Sequence, residues 1–214
     1  MEKKEIANVF DAFTASTQQQ PRLAPKTRET IDLAQHTNYD TIVDSSRGIT
    51  LGPDGALPGP FNAWMYVAPE LTKALDGMGN AINEFIENVP DRIKEMTICQ
   101  VAAHTKNDFI FWEHSRKAKQ YGVSGATLDA LRTYQYPPFE NTEEGQGERA
   151  IYRLTMEALQ VNRVSDDTYD KALEALGSEQ AMVELTFIIG HYANLAAQLN
   201  ILRVPAPGDS QIFA

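Results

Sequence analysis

Apolar residues in this chain recur at spacings of three and four through most of its length, and that period constrains the fold more than any other feature. Leu71, Leu75, Met78, Ile82 and Phe85 step by four, three, four and three, which marks one face of an α-helix. Pro69-Glu70 opens that helix with a proline and an acid in the first turn. A second helix is expected behind Pro90-Asp91-Arg92, with Ile93, Met96, Cys99 and Ala102 or Ala103 turned inward. Thr105-Lys106-Asn107-Asp108 is a polar break with N-cap chemistry, and a third helix runs from Phe109 to Tyr121 and stops at Gly122. Ser124 to Arg132 reads as a short helix before Pro137-Pro138, and Glu143 to Val161 as a longer one carrying Ile151, Leu154, Ala158 and Val161. Ser165 caps a helix with Tyr169, Leu173 and Leu176 that ends at Gly177, and Ser178 caps the last, which Pro205 and Pro207 stop. Met182, Leu185, Ile188 or Ile189, Leu195 and Leu199 are its expected inner face. No segment alternates with the period of two that a half-buried strand requires, so the fold class is all-α.

The first 60 or so residues are less regular. Glu5–Phe13 and Thr27–His36 are candidate helices, and Ser45 to Gly59, rich in Gly, Pro and Ser, reads as a loop or linker. The chain therefore divides into an N-terminal extension over 1–50, a helical domain over 51–206 and a tail over 207–214. The extension is an arm for the main body or for a neighbouring subunit. Glu95-Met96-Thr97-Ile98-Cys99 and Glu184-Leu185-Thr186-Phe187-Ile188 share a pattern of a glutamate opening an apolar run, as two related helical units or two unrelated amphipathic helices would.

The 214 residues include one cysteine, which excludes an intrachain disulfide, a CxxC pair and a multi-thiolate zinc site. With no leader-like segment behind Met1, a reducing cytoplasm is the expected compartment. No apolar run approaches the ~20 residues of a membrane span. Against 29 Asp and Glu stand 19 Lys and Arg, and the net charge of −10 disfavours nucleic acid and anionic membrane as partners. An anionic substrate would need local cations, for which Arg92, Lys94, Arg116 and Arg203 are the candidates.

Among residues that do chemistry, Glu95 and His114 stand out. If the chain reverses between His104 and Asp108, the two lie about 13 Å from the hairpin end at ~1.5 Å per residue, level on adjacent antiparallel helices. A carboxylate beside an imidazole fixes its tautomer and makes a general acid/base, and it equally makes a structural tie between helices. His104 sits at a helix end where the dipole favours a cation. His191, beside Tyr192, reads as a core histidine, and His36 lies in the extension. A zinc site from His104, Glu113 and His114 lacks the spacing of metal-binding helices, so no metal is assigned. Cys99 reads as a buried inert thiol, and Trp112 and Trp64 as packing. The turns Gly52-Pro53-Asp54-Gly55 and Gly59-Pro60 form no phosphate loop.

Several ordered blocks resemble the carboxymuconolactone decarboxylase family, which has the alkyl hydroperoxidase D-like fold. They are Gly59-Pro60-Phe61-Asn62-Ala63-Trp64, Pro69-Glu70-Leu71, Pro90-Asp91-Arg92-Ile93-Lys94-Glu95, Phe109–His114 with Ala118 and Gly122, and Leu199-Asn200-Ile201-Leu202-Arg203-Val204-Pro205. The match covers roughly 50 to 206. In the peroxidase branch a glutamate precedes a Cys-x-x-Cys-x-x-x-His run. Glu95 and His114 match its glutamate and histidine, but Asn107 and Ile110 stand where its cysteines are, so the resemblance implies no thiol peroxidase activity. Decarboxylase-like members often carry Tyr-Glu-Trp before the histidine, and Ile110 replaces that glutamate.

The resemblance implies loss of CO₂ from a small lactone or cyclic acid without a cofactor, with His114 as proton donor and Glu95 orienting it. Asn62 or Asn200 would hydrogen-bond the substrate carbonyl, Trp64 and Trp112 would supply apolar wall, and His104 is a further candidate contact. Isomerisation or enolisation of a related acid, and a non-catalytic binding protein, remain alternatives. Homotrimers or homohexamers are the implied assembly, with a small molecule as the other partner.

Overall fold

A computed structural model describes residues 20–52, 54–209 and 211–213, and within them nine α-helices and no strand. They are α1 (His36–Val43), α2 (Gly59–Trp64), α3 (Pro69–Glu84), α4 (Asp91–His104), α5 (Asp108–Gln120), α6 (Gly125–Arg132), α7 (Glu143–Val161), α8 (Asp166–Leu176) and α9 (Glu179–Leu202). Short polar side chains start most of them. Asn107, Ser124, Thr142, Ser165 and Ser178 each accept a backbone N–H three residues on, satisfying one of the donors that a helix start leaves free. Gly122 and Gly177, both at positive φ, follow α5 and α8.

The centre of the molecule is α4, which is buried on every side from Lys94 to Ala103. It packs on α5, α7 and α9. This explains why its hydrophobic pattern looked one-sided in sequence yet its polar residues Glu95, Thr97 and Gln100 are also enclosed. No helix is long and apolar enough to cross a membrane among the described residues.

Three expectations change. The helix expected over 27–36 is instead a turn followed by a 3₁₀ turn at Leu33–Gln35, and α1 begins where that helix was to end. Thr27 and Thr30 bond each other's backbone (Thr27 N–H to Thr30 Oγ1, 2.9 Å; Thr30 N–H to the Thr27 carbonyl, 3.0 Å), a local alternative to helix that hydroxyl side chains favour. On α3 the buried residues are Thr72, Asp76 and Ile82, while Leu71, Met78 and Phe85 of the apolar face lie in solvent. Val161, the last residue of α7, is also exposed. The candidate helix Glu5–Phe13 lies outside the described residues.

Residues 20–50 contribute to the same core as the helices that follow: Ile31, Tyr39 and Ile42 are buried in it, Ile42 completely. Arg22 closes the far end of α9, its backbone N–H donating to the Leu202 carbonyl and its guanidinium to that of Ile201, a cation where the helix dipole is negative. The tail also folds back. The N–H groups of Ile212 and Phe213 both donate to Asp108 Oδ1 at 2.9 Å, and the Phe213 ring meets Phe111 edge-on.

Candidate functional site

The reversal at Thr105–Asn107 sets α4 and α5 side by side and brings Glu95 against His114. Glu95 Oε2 lies 2.7 Å from His114 Nδ1, and both residues are buried, at 4% and 8% exposure. With a carboxylate as partner, Nδ1 carries the proton, and no hydrogen bond among the described residues engages Nε2.

Tyr192 of α9 completes the cluster, its ring standing between two imidazoles. It meets His114 edge-on at 4.8 Å and His191 edge-on at 5.1 Å. Burial, followed by the charges of Glu95 and Glu113, pushes the Tyr192 phenol far above its usual range, so it stays protonated. Burial and then the neighbouring His114 lower His191, which favours its neutral form. Arg47 acts on the phenol in the opposite sense. Its guanidinium pairs with buried Asp76 and lies over the Phe61 ring at 4.8 Å.

Tyr192, His191 and Arg47 are the residues that sequence reasoning did not place with Glu95 and His114. A signal existed for two of them: Leu185–Leu202 contains no Asp, Glu, Lys or Arg, and His191-Tyr192 are its titratable side chains. Arg47 sits in a Gly- and Ser-rich loop, where nothing local ties it to α9.

The other candidates are engaged elsewhere. Asn62 receives the Lys26 N–H at 2.6 Å and donates to the Ala24 carbonyl, pinning the chain before α1. Asn200 accepts from Asn107 Nδ2 and donates to the Thr105 carbonyl, both at 2.7 Å, so it ties α9 to the α4–α5 turn. Trp64 is buried at 4% with Phe61 on its edge, and its indole N–H has no hydrogen-bond partner among the described residues. Trp112 is half-buried with the Arg116 guanidinium 4.8 Å above it, and His104 is exposed at the end of α4.

The cations named as offsets also have partners: Arg92 bonds Glu148 at 2.5 Å and the Gly122 carbonyl, Lys94 bonds Asp91 at 2.6 Å, and Arg116 approaches Glu113. Arg203 ends α9 in the left-handed region. One surface hollow lies between α1 and α3, lined by Asp40, Asp44 and Glu84 with hydroxyl side chains, a charge that repels an anionic substrate.

Cys99 is completely buried, and burial followed by the charge of Glu95 raises its thiol well above the ordinary value, so the thiolate is suppressed. Asn107 and Ile110, where a cysteine pair would stand, are the cap of α5 and a core residue at 1% exposure. Among the described residues no group of three or more His, Cys, Asp or Glu is arranged to hold a metal.

No family model and no curated protein sequence matches the chain. Solved structures do. A peroxidase-related protein from Ralstonia eutropha, described as an alkylhydroperoxidase AhpD core, superposes with a TM-score of 0.69 at 11% identity, over 92% of this chain and 96% of its own. The debrominase Bmp8, solved with 2,3,4-tribromopyrrole, gives 0.61 at 16% identity, over 89% of this chain and 95% of its own. A protein of unknown function from Agrobacterium tumefaciens, described as a candidate AhpD antioxidant defence protein, gives 0.56 at 18% identity, over 65% and 92%. At these identities the likeness establishes architecture: the chain has the alkyl hydroperoxidase D-like all-α fold.

Proposed function

We propose that the Glu95–His114 pair is the proton-transfer centre of a cofactor-independent enzyme acting on a small lactone or cyclic acid, with decarboxylation as the reaction. The observation that carries this reading is the buried 2.7 Å contact that orients His114 while leaving Nε2 unengaged. In the step, the C–C bond to the substrate carboxylate breaks and its electron pair flows into the conjugated carbonyl as CO₂ leaves. Protonated His114 then delivers a proton from Nε2 to the resulting dienolate carbon, and solvent restores it. Glu95 holds the imidazole in register. The protonated Tyr192 phenol is a donor suited to the dienolate oxygen. Arg47 supplies positive charge acting on that phenol.

Enolisation or isomerisation without CO₂ loss would use the same groups, and the permanently protonated phenol favours keeping it as the second reading. Thiol chemistry is not supported, because Cys99 is fully enclosed. The test is a screen of butenolide and cyclic keto acids with CO₂ release and proton exchange followed separately. On the responsive substrate, His114→Ala is expected to lower kcat by about 10²- to 10⁴-fold. Glu95→Gln, which keeps a hydrogen-bonding partner without the charge, is expected to lower kcat by less than His114→Ala does. Turnover unchanged in His114→Ala overturns the assignment.

A further inference from the structure

The last helix brings a second imidazole to the site, and the Glu95–His114 pair makes no use of it. Tyr192 meets His114 at 4.8 Å and 80°, and His191 at 5.1 Å and 89°, edge-on in both cases. Both contacts are to one phenol ring, so the two imidazole centres lie within ~10 Å, no more than the Debye length at about 0.1 M salt. The ring keeps water and salt out of the space it fills, and α9 offers nothing to neutralise a charge there. Leu185–Leu202 has no Asp, Glu, Lys or Arg.

The two imidazoles differ in their partners. His114 has Glu95 Oε2 2.7 Å from Nδ1. His191 is half-buried, and among the described residues its ring makes neither a hydrogen bond nor an ion pair, only the contact with Tyr192. A carboxylate against one ring and none against the other sets which of them takes a proton first. The titratable and charged groups nearby are few. Glu95 and Cys99 of α4, Glu113 of α5 and Arg47 of the loop ahead of α2 act on the Tyr192 phenol. On His191 itself the one charge that acts among the described residues is that of His114. α8 and α2, which also pack on α9, present none that does.

We infer that His114 and His191 share one proton across the Tyr192 ring, with His191 as a positioning residue that stays uncharged while His114 carries it. Like charges at this separation repel, and more strongly in a buried setting than in water, so the second proton stays in solvent until the pH falls well into the acid range. No bond forms or breaks in the coupling. Its use in a reaction rests on the function proposed above: a bound acid meets one imidazolium, at the donor, and a neutral ring at His191.

Proton NMR of the full chain without ligand tests the coupling, so its outcome is separate from that of the substrate screen. The ring C–H signals are followed between about pH 4 and 8, where imidazoles titrate, and that of His191 is identified by its loss in His191→Gln. Wild-type His191 is expected to titrate below the ordinary value of 6.5. In His114→Gln its midpoint is expected to rise by about 0.3–1 pH unit, the effect of one charge at ~10 Å in surroundings between water and protein. Exposed His104 serves as the reference and keeps its wild-type midpoint. A purely structural His191 would show no such rise. Wild-type His191 titrating at or above 6.5, or at an unchanged midpoint in a folded His114→Gln protein, overturns the proposal. If His114→Gln unfolds, His114→Phe, which keeps a ring against Tyr192, decides in its place by the same measurement.

Discussion

Single residues matter here in two ways, through the chemistry proposed for His114 and through close packing at Gly59. Gly59 opens α2 at φ +55°, a region that side chains rarely adopt, and a Cβ there would lie 2.1 Å from Phe109 Cζ. Backbone conformation and packing thus demand glycine together. Gly59→Ala is expected to lower stability by about 2–4 kcal/mol in chemical denaturation, from positive-φ strain plus overpacking. Pairing it with Phe109→Ala should recover the packing part alone and leave the backbone part. At the centre, Glu95 and His114 are placed by the helices that carry them, and Tyr192 reaches them from a helix distant in sequence.

At the scale of elements, the joints between helices are made by side chains that saturate backbone donors. Glu157 of α7 is the fullest case. It accepts the Ser165 N–H at 2.9 Å and the Thr168 hydroxyl at 2.7 Å, fixing the start of α8, and these bonds, the backbone one first, pull its carboxyl down to about 2. A depressed carboxyl stabilises the fold above its unfolded value of 4.5 and loses that contribution as pH falls toward 2. Glu157→Gln should therefore be less stable than wild type at pH 7, with the gap closing below about pH 4.5. Thermal unfolding across that range measures it. The α4–α5 turn is held in a similar way, since Asn107 caps α5 and binds Asn200 of α9 at once.

For the whole molecule, the notable fact is that residues 20–50 belong to the core. Ile31, Tyr39 and Ile42 are buried, and Arg47 is the partner of buried Asp76. A chain begun at residue 51 loses about 1.5–3 kcal/mol for each of the three side chains and leaves Asp76 enclosed without its cation, a further cost of about 3–5 kcal/mol. Together these losses are comparable to the ~5–15 kcal/mol margin of a typical domain. The truncated chain is expected to lack a cooperative thermal transition, and a sharp transition near that of the full chain would contradict this account.

What was legible in sequence was local. The helices from α3 to α9 follow from three-four spacing, from caps such as Ser124, Ser165 and Ser178, and from Gly122 and Gly177, because hydrogen bonds within a few residues set those features. The level placement of Glu95 and His114 followed from helix rise on either side of one short turn. Tertiary structure alone decided which apolar faces were filled. Leu71, Met78 and Phe85 have the pattern of a core stripe yet lie in solvent, since α3 turns Thr72 and Asp76 inward to meet Gln35 and Arg47. It alone brought Tyr192 and His191 to His114 and paired Arg47 with Asp76, and it alone committed Asn62 and Asn200 to ties within the fold. Periodicity records that a helix has an apolar side; which surface that side meets depends on contacts between residues far apart in the chain.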